Sequence, residues 1–90
     1  MRYKHFIIAG KVQGIFFRDF VRKKASALGV VGYVRNLKNG DVEVVASGDE
    51  KKLKELEKEC RKGPFMSNVT NLKLEDIELD EIFEEFVVRF

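Results

Sequence analysis

The order of apolar patterns along this chain predicts an α+β fold, the ferredoxin-like split βαβ sandwich. Four strands and two helices follow in the order β-α-β-β-α-β, a short C-terminal strand is added, and an antiparallel sheet carries both helices on one face. Three observations support this. Short runs of strand character stand at the beginning, middle and end of the chain. Two longer segments repeat their apolar residues at helical spacing. An Asn-Gly pair separates two of the strand runs.

Tyr3 to Val12 contains Phe6, Ile7, Ile8 and Val12 and reads as the first strand. After a glycine loop, Phe17, Phe20, Val21, Ala25 and Leu28 recur at helical spacing, and Gly29 follows as a stop. Val30 to Leu37 is the second strand. Lys38-Asn39-Gly40-Asp41 then gives the strongest short hairpin signal, Asn-Gly between two apolar runs. Val42, Val44 and Ala46 alternate with Glu43, Val45 and Ser47 in a third strand. Gly48-Asp49 opens the second helix, with Asp49 as N-cap. Leu53, Leu56 and Cys60 line its apolar face, while Glu50–Lys54 and Glu57–Arg61 stand at ion-pair spacing on the wet side. Gly63-Pro64 ends it. Val69 to Leu79 is a fourth strand whose alternation changes phase between Leu74 and Ile77, which predicts a bulge near Glu75-Asp76. Phe86 to Phe90 makes the last strand.

Ninety residues, 44% of them hydrophobic, suit a single domain over residues 1–90. No apolar stretch approaches the ~20 residues that span a bilayer. The few apolar residues before Gly10-Lys11 are too short for a secretory leader. Cys60 is the only cysteine, so an internal disulfide and a Cys-rich metal cage are both excluded. These features predict a cytoplasmic protein. Seventeen basic and 15 acidic residues leave a net charge of +2, weak support for a nucleic-acid partner. A charged fraction of 36%, with Gln13 the sole glutamine, leans toward a heat-adapted host.

The segment GKVQGIFFR, Gly10 to Arg18, carries most of the chemistry. Two glycines four apart allow a loop to turn backbone N–H groups inward, and the following helix adds the positive end of its dipole. Arg18 adds a fixed charge and a planar fork of donors suited to phosphate. A cation in the first turn of a helix opposes the dipole, so its presence there points to a nearby anion. Phe16 and Phe17 read as core residues whose N–H groups serve the loop. Other sites are absent or weak. Cys60 lacks an arginine at phosphatase spacing and reads as a packed hydrophobe. His5, the only histidine, reads as a surface or edge residue. No P-loop is present. The clusters Arg22-Lys23-Lys24 and Lys51-Lys52-Leu53-Lys54 read as solvated helix faces. Alone, Asn36 reads as a polar residue easing a strand into its turn.

GKVQGIFFR resembles the first signature of the acylphosphatase family: Gly-x-Val-Gln-Gly, an aliphatic, any residue, an aromatic and Arg. GYVRNLKNGDVEVVASG, Gly32 to Gly48, resembles the second, including Asn36, Gly40, Val42 and Gly48. Ile15 stands where the family more often has Val. The resemblance extends over essentially the whole chain. It implies hydrolysis of a small-molecule acyl phosphate to a carboxylate and inorganic phosphate, without metal or cofactor. It makes Arg18 the phosphate-binding residue and Asn36 the one that orients water. The backbone donors would come from Gln13, Gly14, Ile15, Phe16 and Phe17. The loops around Lys38 and Phe65 to Asn68 are expected to border the leaving-group side. Asp19, beside Arg18, is the one rival to the substrate as acceptor of the water proton, and otherwise reads as a first-turn acid complementing the helix dipole.

RNA-recognition domains share the predicted architecture, but neither the first nor the third strand shows their aromatic signature, so neither a nucleic acid nor a membrane is expected as partner. A metal carrier of this fold would need a Cys pair. The module also resembles the N-terminal part of a larger hydrogenase-maturation carbamoyltransferase, and the end of this sequence at Phe90 favours the free-standing enzyme. A non-catalytic anion-binding or regulatory domain is the third alternative.

Overall fold

The computed structural model describes all 90 residues. Its elements follow the predicted order: β1 (Arg2–Lys11), α1 (Phe17–Ala27), β2 (Val31–Asn36), β3 (Val42–Ser47), α2 (Glu50–Lys62), β4 (Asn68–Glu78) and β5 (Phe86–Arg89). The strands form one sheet in the order β4-β1-β3-β2-β5. The β1–β3, β1–β4 and β2–β3 pairs are antiparallel, as the ferredoxin-like arrangement requires. β5 is not: it runs parallel to β2, with Gly32 opposite Phe86 and Arg35 opposite Arg89, so the sheet is mixed. The reason lies in where β4 ends. Glu78 pairs with Arg2 at the end of the sheet where β2 also begins, so a chain crossing from there enters β5 in the direction of β2.

Both helices cover one face. Phe17, Val21 and Ala25 of α1 and Leu53, Leu56 and Cys60 of α2 pack on Phe6, Ile8, Val34, Val42, Val44, Ala46 and Leu72. Each such aliphatic side chain stabilises the fold by about 1.5–3 kcal/mol on burial. Burial pushes the Cys60 thiol up to about 12, with Glu59 and Glu57 adding to the shift, so the group is an inert core residue, as its position in the sequence suggests.

The other face carries a second apolar cluster, Tyr3, Tyr33 and Val45, partly covered by Ile77, Leu79, Phe83 and Val87. This cluster explains the change of phase along β4. Leu72 and Leu74 stand opposite Ile8 and Phe6 on the helix side, whereas Ile77 stands opposite Tyr3 on the other. Pairing through Glu75 and Asp76 is unbroken, so the bulge expected there is absent. The irregularity falls instead between Ala9 and Gly10, where Thr70 is the extra residue of β4. Gly10 has φ 124°, and a Cβ there would lie 2.1 Å from the carbonyl oxygen of Asn68. Only glycine lets the strands close at this bulge.

The Asn-Gly hairpin has a three-residue loop. Leu37 N–H donates to Asp41 O at 2.8 Å, Gly40 N–H donates to Leu37 O at 3.2 Å, and Gly40 is left-handed at φ 98°. In α2 the Glu57–Arg61 pair forms at 3.0 Å, but Glu50–Lys54 does not. Asp49 occupies the N-cap without a side-chain cap bond. His5 is not on an edge: β1 is an inner strand, and His5 is half-buried on the face away from the helices. There Glu43, 9% exposed, accepts hydrogen bonds from His5 Nε2 at 2.8 Å, Tyr33 Oη at 3.1 Å and Arg35 Nε at 2.6 Å. Burial alone would raise its pKa. The hydrogen bonds from His5, Arg35 and Tyr33 outweigh that and hold the carboxyl below its ordinary range.

Candidate active site

Between β1 and α1 the chain turns sharply, with Gly14 at φ 75° and Phe16 at φ 62°. The left-handed conformation is free for Gly14, whereas for Phe16 it is strained by about 1–3 kcal/mol. The turn leaves donors unused. The backbone N–H groups of Gly14, Ile15 and Phe16 have no acceptor in the protein. The first-turn amides of α1, at Phe17, Arg18 and Asp19, have no intrahelical acceptor, and the N-cap, Phe16, supplies no side-chain cap. The first bond to close is Phe20 N–H to Phe16 O, at 3.0 Å. A row of N–H groups at a helix N-terminus is therefore available to an anion.

Most of these residues border a cavity of about 440 Å³ lined by Val12, Gly14, Phe16, Phe17, Arg18, Asp19, Asn36, Val88 and Phe90. The cavity brings together Arg18 and Asn36, residues 18 apart in sequence and at opposite ends of the α1–β2 unit. Arg18 uses one donor on the protein, Nη1 to Arg89 O at 3.3 Å, and its guanidinium stacks on the Phe90 ring at 4.5 Å. The rest of the fork is unused. Asn36 stands at the C-terminal end of β2 and makes no side-chain hydrogen bond. Its Oδ1 is the one buried side-chain oxygen or nitrogen in the chain without a partner. An orphaned buried amide oxygen costs about 1–3 kcal/mol, which a bound water or ligand would offset.

The other residues singled out from the sequence divide. Phe17 is core at 1% exposure, but Phe16 is 86% exposed on the cavity rim, which corrects its reading as a core residue. The left-handed backbone turns its side chain away from the apolar face of α1. Ile15 packs against the core and Gln13 lies outside the lining, so what either could offer a ligand is its peptide N–H. Asp19 lines the cavity, yet its carboxylate is held by Arg22 at 2.9 Å and Lys23 at 3.2 Å, and those hydrogen bonds lower its pKa. The loops around Lys38 and Phe65 to Asn68 do not reach the cavity. Its apolar side includes Val88 and Phe90, which no motif or spacing singles out. They arrive through the parallel pairing of β5 with β2.

Four similarities bear on this site. The family model Acylphosphatase matches residues 4–88. An acylphosphatase of Methylococcus capsulatus is 42% identical over 88 residues, covering 98% of this chain and 96% of that one. The crystal structure of an acylphosphatase from Bacillus subtilis superposes with a TM-score of 0.93 at 30% identity, covering all of both chains. HypF of T. kodakarensis also contains this fold, with a TM-score of 0.89 at 25% identity over 12% of its length. The family-model match over residues 4–88 and the relatives matched over nearly their whole length lead to one assignment: this chain belongs to the acylphosphatase family.

Proposed function

We propose that the chain hydrolyses acyl phosphates at the cavity between α1 and β2, with Arg18 and the Gly14–Phe17 amides holding the phosphoryl group and Asn36 holding the attacking water. The observation that carries this reading is that Arg18 and Asn36 line one cavity with Gly14, Phe16 and Phe17, whose amides have no protein acceptor. The phosphoryl oxygens would accept from the amides and the unused Arg18 donors, stabilising charge where it builds in a loose, in-line transition state. An amide is not a base at neutral pH, so Asn36 positions water and does not deprotonate it.

The chemistry balances without a protein acid. Water oxygen bonds to phosphorus as the bond from phosphorus to the acyl oxygen breaks, and the carboxylate leaves with the electron pair. A carboxylate is a weak base and needs no protonation. The water proton passes to a phosphoryl oxygen of the substrate. Asp19 is a poor competitor for it, because its two cationic partners lower its basicity. The acyl group would lie toward Phe16, Val88 and Phe90, the apolar side of the cavity.

The experiment is a substrate comparison in EDTA. Steady phosphate release from benzoyl phosphate is expected, with none above background from phenyl phosphate, whose phenoxide leaving group is a far stronger base than a carboxylate and has no acid to protonate it. Failure to release phosphate from benzoyl phosphate would leave an anion-binding module or a part of a larger transferase. Equal turnover of both compounds would contradict the absence of a protein acid.

A further inference from the structure

We propose that Gln13 is a positioning residue that sets the spacing between the phosphate cradle and Asn36. Its single side-chain amide donates both hydrogens, to Leu37 O at 2.9 Å and to Asp41 O at 2.8 Å. Those two carbonyls form the base of the β2–β3 turn. Leu37 O also accepts from Gly40 N–H, and Asp41 O accepts from Leu37 N–H. One side chain thus ties the residue before Gly14 to the residue after Asn36.

Asn36 needs such a tie. With no side-chain hydrogen bond of its own, its amide is placed by the β2 backbone, and Gln13 holds that backbone one residue further on. The cradle is held at its far end by α1, which packs on β2 and β5, and Gln13 adds a hydrogen-bonded link at its near end to the residue after Asn36. Gln13 lies outside the cavity lining, so its effect passes through Asn36 and not through the substrate. Two neutral donors on one flexible stem suit the task. A carboxylate of the same length would face two carbonyl oxygens with no hydrogen to offer. Loss of near-attack geometry by about 1 Å commonly costs on the order of 10²-fold in rate.

The inference rests on the proposed acyl phosphate site, and the test separates the two. Benzoyl phosphate hydrolysis is measured for wild type, Gln13→Leu, Gln13→Glu, Asn36→Ala and the double variant Gln13→Leu/Asn36→Ala. The expected result is a kcat loss of about 10- to 100-fold in Gln13→Leu. The inhibition constant of inorganic phosphate should move less than about threefold, because the cradle itself is intact. In the Asn36→Ala background the Gln13 change should cost less than about threefold, since its effect has already been lost. Activity of Gln13→Glu, relative to wild type at the same pH, should rise as pH falls and the carboxyl gains a hydrogen to donate. An unchanged kcat, or the same loss with and without Asn36, would overturn the proposal. So would loss of folding in both single variants by far-UV circular dichroism, which would assign the amide to the fold. A wild type that releases no phosphate, or an Asn36→Ala enzyme at full rate, would instead overturn the reading of the site.

Discussion

Arg18 and Asp19 are adjacent in the first turn of α1 and both line the cavity, yet their surroundings give them opposite capacities. Arg18 spends one donor on a backbone carbonyl and keeps the remainder of its fork. Asp19 spends its carboxylate on Arg22 and Lys23 and is the weaker base for it. Asp19→Asn is therefore expected to reduce kcat by less than about tenfold in steady-state assays, since a true general base is worth about 10²–10⁴-fold. A thousandfold loss with substrate binding intact would assign proton transfer to Asp19. At this scale residue type and motif single out Arg18 and Asn36, and both line one cavity. The sequence was silent where the outcome depends on which atom finds a partner. Nothing in the residues around Gln13 shows that its amide reaches Leu37 and Asp41, and nothing around Phe16 distinguishes it from Phe17 except the φ of one residue.

The elements were legible because their periods are clean, and the departures have local causes. The strand pattern Val69 to Leu79 contains two runs facing opposite sides of the sheet. A change of phase in sequence has two physical readings, a bulge or a second buried cluster, and β4 follows the second at Ile77. The real bulge at Thr70 leaves no trace in hydrophobicity, since it is set by the approach of Gly10 to the backbone of β4. Gly10→Ala should accordingly destabilise the protein by about 2–3 kcal/mol or more in urea unfolding, from the clash with Asn68 O and the positive φ. Retention of wild-type stability would show that the start of β4 moves freely and does not brace the start of the cradle. The parallel placement of β5 was equally hidden, because a short apolar run carries no direction. It nonetheless completes the site by bringing Val88, the Arg89 carbonyl and Phe90 to Arg18.

The molecule as a whole uses the two faces of its sheet differently. The helix side is a conventional apolar core. The other side holds a charge, Glu43, surrounded by His5 from β1 and by Tyr33 and Arg35 from β2. Because the folded pKa of Glu43 lies below its ordinary value, its contribution to stability is fully present above the unfolded pKa near 4.5 and is lost as pH falls through the folded value. Glu43→Gln should be less stable than wild type at pH 7 by about 1–3 kcal/mol, with the difference shrinking below about pH 4.5. A difference that stays constant down to pH 3 would show that the charge is not what the network uses. At one end of the sheet the glycine loop, the start of α1 and the end of β2 meet around the cavity. The central claim is that Arg18 and Asn36 act together there on a phosphoryl group. Steady-state release of phosphate from benzoyl phosphate by Arg18→Ala and Asn36→Ala tests it most directly. Each variant is expected to lose about 10²–10³-fold in kcat/KM while remaining folded, and a folded variant of either kind at the wild-type rate would contradict the account.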